Sequence, residues 1–247
     1  GVALLYRSTR RLTLTFEGQE FHRHIQSMMD AANKGIESLS TAYSEPTGLL
    51  KVSLPTALSD SHISESIARF CRRYPKVSLE LRYTDKRENI IDAGLDMAVR
   101  VGSMADSNLK QKKLGELERV LVCAADYFAA RPAPSTPAEL ADWNWIKLQQ
   151  LPNERTFYRN QQREVVVYQH QVCVNSVEAM KHFCLLGMGL ATLTKAQVEA
   201  PLSRGELVHV LPEWQAEAIP LYAVWPMNVS PHSNVKRLLE AILVGSP

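Results

Sequence analysis

An α/β fold in two units, led by a basic hairpin and a long helix, is what the 247 residues predict, and three observations carry it. Apolar strands alternate with amphipathic helices from residue 48 to 102 in βαβαβ order, the pattern of a parallel sheet with helices on both faces. A second alternating series follows residue 122, and a last strand and helix close the chain, so the second unit reads as an insertion in the first. Ahead of both, one narrow apolar stripe runs along a helix of about seven turns, more than a small domain covers by itself.

The elements follow in order. "LLYRS" and "RLTLT" read as two short strands around a turn at Ser8 to Arg10. Thr15 is a good helix N-cap, with Gly18 in the first turn. Phe21, Ile25, Met28, Ala32, Ile36, Leu39 and Tyr43 then recur at spacings of three and four, with Arg23, Gln26, Asp30, Asn33 and Lys34 off the stripe. Such a helix suits pairing with a copy of itself. "SEPTG" stops it at Pro46 and Gly48. "LLKVSLP" is an apolar strand ending at Pro55. "SDSHISESIARFCRRYP" puts Ile63, Ile67 and Phe70 on one helical face, and "VSLELRY" alternates as a strand does. "ENIIDAGL" is expected as a short helix, "DMAVRVG" as a buried strand and "RVLVCAA" as another. The second series comprises "YFAARP", "PAELADW", "WIKL", "EVVVYQHQVCV", "SVEAMKHFCLLG", "GLATL" and "GELVHVLP". "IPLYAVWP" and "SNVKRLLEAIL" return the chain to the first unit.

Composition excludes several classes. No run of about 18 apolar residues occurs, so no membrane span is expected, and Val2 to Tyr6 is too short for a signal-peptide core. A cytoplasmic protein is the expectation. Cys71, Cys123, Cys173 and Cys184 lack CxxC spacing and are expected as buried, reduced thiols. The seven histidines show no ligand spacing, so neither a metal nor another cofactor is expected. No nucleophile elbow, dinucleotide fingerprint or Walker sequence occurs, and "GMG" at 187–189 serves to turn the chain. With 28 Lys and Arg against 26 Asp and Glu, net charge is near neutral. Affinity for nucleic acid must then come from a local patch, and the basic start is the candidate.

The co-linear set of segments resembles the LysR-type bacterial transcriptional regulators. "LLYRSTRRLTLTFEGQEF" is similar to that family's passage from the end of the recognition helix through the wing into the linker helix. "GLLKVSLP" and "RFCRRYPKVSLEL" resemble the first strands and helix of its effector domain. "GLDMAVRVGSMADSNLKQKKLG" is the most specific match, and "NSVEAMKHFCLLGMGLATLT" and "GELVHVLPEW" match the second subdomain. Phe16 departs from the acidic or small polar residue usual there. The resemblance implies two Rossmann-like, periplasmic-binding-protein-like α/β subdomains behind a linker helix and the remnant wing of a winged helix-turn-helix. Residues 1–14 would be the wing, 15–46 the linker and dimerisation helix, and 47–247 the effector-binding domain. Its subdomain I would span about 47–121 and 222–247, and subdomain II about 122–221. The resemblance also implies that two helices and most of a recognition helix precede Gly1.

What the resemblance implies for partners is DNA, a small-molecule effector, a second copy through the linker helix, a tetramer in the full protein, and RNA polymerase as a further contact. Arg7, Ser8, Arg10 and Arg11 would meet phosphates and the minor groove. The effector site is expected beyond the carboxyl ends of the strands. Pro55, Thr56, Ala57 and Ser59 follow one strand, Thr84 another, and Arg100, Val101 and Gly102 a third, while Asn175 and Ser176 lead into a helix of the second unit. Two helix starts facing across a cleft suit a small carboxylate. Plain N-capping is the competing role for Thr56 and Ser176, and pairing with Asp96 the competing role for Arg100. A two-lobed solute-binding protein is the alternative, disfavoured by the basic hairpin and the long helix. A bilobal transferase is disfavoured by the missing catalytic constellation.

Overall fold

The computed structural model describes residues 1–7, 12–40, 45–102 and 109–245. At the amino end, β1 (Leu5–Arg7) and β2 (Leu12–Leu14) pair antiparallel. The helix α1 (Phe16–Ser40) follows without a loop, and its expected continuation to Ser44 lies outside the described residues. Thr15 caps it: its Oγ1 accepts the Gly18 N–H at 2.9 Å. The same hydroxyl donates to the Ala3 carbonyl at 2.8 Å, and the Thr15 N–H donates to the Leu4 carbonyl at 3.1 Å. One buried threonine thus ties the leading segment to the helix it precedes. Gly18 makes this possible, since a Cβ there would overlap the Leu4 carbonyl. Gly18→Ala, although it favours helix intrinsically, is expected to lift residues 3–4 off the helix. Amide exchange should then quicken at Thr15 by at least tenfold, and unchanged exchange would show the approach to be dispensable.

The first α/β unit is built from β3 (Gly48–Leu54), α2 (His62–Arg73), β4 (Val77–Tyr83) and β5 (Met97–Val101). β3 pairs in parallel with both β4 and β5. Two long strands extend this sheet: β6 (Leu109–Ala124) and β13 (Gln215–Pro226), antiparallel to each other, with β13 antiparallel to β5. Alternation sends Met97 and Val99 to one face, where Ile63, Ile67 and Phe70 of α2 meet Leu238 and Ile242 of the last helix, α6 (Asn234–Val244). Ala98 and Val224 point the other way, onto Ile90 and Leu95. Those two residues sit on a run of turns over 88–95, not on the helix expected there. The Asn89 side chain accepts the Ile91 N–H at 3.0 Å, a local bond that competes with a helical ladder.

Between β6 and β13 lie α3 (Ala125–Ala129), β7 (Trp145–Leu148), β8 (Glu154–Arg159), β9 (Gln162–Val167), β10 (His170–Val174), α4 (Val177–Leu185), β11 (Ala191–Thr194), α5 (Lys195–Ser203) and β12 (Leu207–His209). The single strand expected over 164–174 is two. β9 turns back antiparallel on β8, and β10 runs parallel to β7. Residues 119–124 of β6 take β11 and β12 as antiparallel partners, whereas residues 109–119 pair with β13, Arg119 being shared by both. β6 and β13 therefore belong to both units. Register shifts in their pairing lie between Ala216 and Ile219 and between Leu221 and Tyr222, and Gly115 has φ +150°, a bulge that bends the ribbon. The second unit packs around Trp145, whose ring stacks on Tyr168 at 4.4 Å and whose Nε1–H donates to the Leu140 carbonyl at 2.9 Å. Gly189, at φ +141°, passes so close to the Asn144 carbonyl that no side chain fits.

Of the four cysteines, Cys123 and Cys184 are buried, and burial pushes both thiols up to about 12. Cys71 is half-buried and Cys173 exposed, so the expectation of four buried thiols holds for two. His209, on β12, is held below its ordinary value by burial, with Lys195 adding to the effect. A depressed folded-state value gives stability that is fully present above pH 6.5, the unfolded value, and is lost as pH falls through the folded one. His209→Gln is expected to flatten the acid side of a melting-temperature profile within that window. An unchanged slope there would remove His209 from the pH dependence.

Candidate functional site

A cavity of about 440 Å³ opens between the two units, beside the ribbon that joins them. The parallel strands bring it about. β3, β4 and β5 run the same way, so their carboxyl ends reach one edge and their connections form one wall: Pro55, Ala57, Thr84, Arg100, Val101 and Gly102. Leu148, Gln150, Val177 and Met180 supply the facing wall from the second unit. Leu117, Arg119 and Ile219 of the ribbon, with Thr192, Thr194 and Gln197, close the back. Asp85, Lys86 and Arg87 add charge at the first unit's side, and a cavity of this volume with mixed apolar and charged lining suits a small organic molecule.

Of the ten expected effector residues, Pro55, Ala57, Thr84, Arg100, Val101 and Gly102 line this cavity, and Thr56, Ser59, Asn175 and Ser176 do not. Thr56 opens only a three-residue 3-10 turn, and α2 starts later, at His62. Ser59 is exposed. Ser176 is the N-cap of α4, its Oγ accepting the Ala179 N–H at 3.4 Å. The two chain starts do face each other, and an anion stands between them: the carboxylate of Asp85. Its Oδ1 accepts the Thr56 N–H at 2.9 Å; its Oδ2 accepts the Thr56 hydroxyl at 2.7 Å and the Val177 N–H at 2.9 Å. Gln150 spans the same mouth, Nε2 donating to the Asp85 carbonyl at 3.2 Å and the Asn175 carbonyl at 3.0 Å.

Three guanidiniums lie at or behind the cavity wall without an ion pair among the described residues. Arg100, 7 % exposed, donates to the Ser53 hydroxyl at 3.3 Å and to the Glu88 carbonyl at 3.0 Å. It does not reach Asp96, which instead accepts the Lys51 N–H at 2.8 Å. Arg119 donates twice to the Glu217 carbonyl, at 3.1 and 2.6 Å. Arg155, 4 % exposed, bonds the Thr192 hydroxyl at 3.1 Å and the carbonyls of Pro152 and Glu154. Burial holds all three below their ordinary values. Arg119 falls furthest, to about 10, because Arg155 repels it as well. All three remain cationic at neutral pH, and buried charge of one sign draws an opposite charge.

Asp85, Gln150, Arg119 and Thr192 were not singled out in the sequence. Asp85 could have been, since it follows Thr84 at the carboxyl end of β4, where the strand-tip rule applies. Arg119 could not: nothing local marks the residue at which a strand passes from one unit to the next. Arg7 sits on β1; Ser8, Arg10 and Arg11 lie outside the described residues. On α1, Phe16, Phe21, Met28 and Met29 are exposed. Among the described residues no helix is long and apolar enough to cross a membrane.

Residues 44–244 match the family model described as the LysR substrate binding domain. The chain is 31% identical to the HTH-type transcriptional regulator PtxR of Pseudomonas aeruginosa over 244 residues, 98% of this chain and 78% of the relative. It is 26% identical to the HTH-type transcriptional activator AaeR of Escherichia coli over 226 residues, 91% of this chain and 73% of the relative. Among solved structures it is similar to CrgA, a LysR-type transcriptional regulator from Neisseria meningitidis. There the TM-score is 0.67 at 25% identity, covering 98% of this chain and 83% of that one. It also shares the fold of the full-length Vibrio cholerae virulence activator AphB, with a TM-score of 0.68 at 23% identity, over 99% of this chain and 84% of that one.

Proposed function

Because this chain belongs to the LysR-type transcriptional regulators, which act by binding DNA and small-molecule effectors and not as enzymes, we propose that its effector is a small organic acid, held in the cavity between the α/β units with its carboxylate against Arg119. The observation that carries this is that Arg100 and Arg119, both at the cavity wall, bond hydroxyl and carbonyl partners and make no ion pair among the described residues. An arriving carboxylate supplies the missing counter-charge in a medium where charge-assisted bonds are strong. Leu117, Leu148 and Ile219 then cover an apolar body. Arg100, with Thr84, Val101 and Gly102, would flank the ligand, while Thr56 and Ser176 serve as structural donors and caps. The test is titration of the chain with a panel of small organic acids, comparing wild type with Arg119→Met.

Residues 1–14 are the wing in this reading, 15–46 the linker helix and 47–247 the effector domain. Arg7, Ser8, Arg10 and Arg11 would contact DNA phosphates and the minor groove, positioning more than specifying. The exposed Phe21 and Met28 support pairing of α1 with its copy. Tetramer formation through effector domains, contact with RNA polymerase and action in the cytoplasm complete the proposal. The solute-binding alternative is set aside by family membership.

A further inference from the structure

The anion cradle expected from the sequence exists, and the chain fills it with its own carboxylate. β3 and β4 run in parallel register to Leu54 and Tyr83, and the Thr84 N–H continues the ladder to the Leu54 carbonyl at 2.8 Å. Asp85 and Thr56 are therefore neighbours as the two strands end. The second contributor comes from the other unit: Val177 is the first residue of α4, a nine-residue helix. Two N–H groups and a hydroxyl converge on one carboxylate at 2.7 to 2.9 Å. This is the donor set a free carboxylate would seek, combined with the positive end of a helix.

We propose that Thr56 and Val177 form a carboxylate receptor occupied by the tethered Asp85, and that this occupancy latches the cleft mouth and determines which acids the regulator accepts. A tethered group competes at an effective concentration in the millimolar range or above. Free monocarboxylates are thereby refused at this end. An acid-bearing effector must place its charge at the opposite end, by Arg119. That last consequence rests on the proposed effector reading; the receptor and its latch do not. Closure follows from the same bonds, since Asp85 belongs to the first unit and Val177 to the second.

The experiment needs no effector. Asp85→Ala empties the receptor, and formate is the probe, small enough to replace the lost carboxylate. Melting temperatures of the chain are followed against sodium formate, with sodium chloride holding ionic strength constant. The wild type is expected to gain less from formate, relative to chloride, than Asp85→Ala does. Asp85→Ala is expected to melt lower and to regain a few degrees in a saturable manner as formate rises. Thr56→Ala added to Asp85→Ala should abolish that gain. If Asp85→Ala does not fold, Asp85→Ser, which also withdraws the carboxylate from the donors and leaves room for formate, takes its place with the same expectation. A variant that folds but shows no formate-specific gain overturns the receptor, as does a wild type that gains as much. Formate bound at Arg119 would raise wild type and Asp85→Ala alike, so only the Thr56-dependent difference between them reports on the receptor; its absence leaves the Arg119 reading standing, and failure of that reading leaves this one.

Discussion

Arg119→Met is expected to weaken binding of the responsive organic acid by tenfold to a hundredfold while the unliganded chain stays as stable as before, or becomes more stable. The first half follows from a lost charge-assisted bond, which contributes about 1.5–3 kcal/mol, with about 1.4 kcal/mol per tenfold. The second half follows from desolvation. The Arg119 side chain is half-buried, its value pulled down to about 10 by burial and by Arg155, so without a ligand its charge carries a partial desolvation cost. An apolar side chain of similar reach removes that cost, as replacement of buried charges often does. The bonds to the Glu217 carbonyl are lost in exchange. A mutant that merely misfolds loses both affinity and melting temperature, so the opposed directions are the signature. Arg119→Lys, which keeps the charge but not the planar fork, should fall between. Calorimetric titration and thermal melting read the two halves separately. Equal affinity in wild type and Arg119→Met would place the acid group elsewhere.

The second large effect concerns assembly. Ile25→Asp and Met28→Asp each put a carboxylate on the stripe that also carries Phe21, which is half exposed, and Met28, which is 59 % exposed, in the single chain. In a paired helix each substitution buries two like charges, one from each copy. The penalty is several kcal/mol per ion, so dimer affinity should fall by about a thousandfold or more. Sedimentation velocity at micromolar concentration should show a dimer for wild type and a monomer for either variant. The effector domain's melting temperature should not change, because the substituted residues lie outside its core. A wild type that sediments as a monomer, or variants that remain dimers, would end the pairing hypothesis.

What could be read from sequence was the part that physics writes locally. The helical character of α1, the cap at Thr15 and the alternation of β4 each depend on near neighbours, and each stands among the described residues. The helix expected over 88–95 failed locally too: the Asn89 side chain takes the Ile91 N–H and favours a turn. β6 was legible only from residue 119, where the apolar run begins. Its first ten residues, "LKQKKLGELE", read as a polar surface, because a strand paired with β13 over an exposed face shows few apolar side chains. In the cleft, the strand-tip rule found the wall of the first unit. Which groups meet across the cleft depends on how two distant segments pack, and the meeting of Asp85 with Val177, 92 residues apart, leaves no trace in either neighbourhood.

The join at Thr15 sets the gearing of the molecule. With the leading segment bonded through Ala3 and Leu4 to the residue that caps α1, and Gly18 leaving no room for slack, the hairpin turns only when the helix turns. A helix of 25 residues is about 38 Å long. A tilt of about five degrees at its far end therefore carries the hairpin roughly 3 Å, which under the proposed wing role is the width of a hydrogen bond made or missed against a phosphate. In that proposed role, motion too slight to reshape a domain becomes, at the end of this arm, a change of grip.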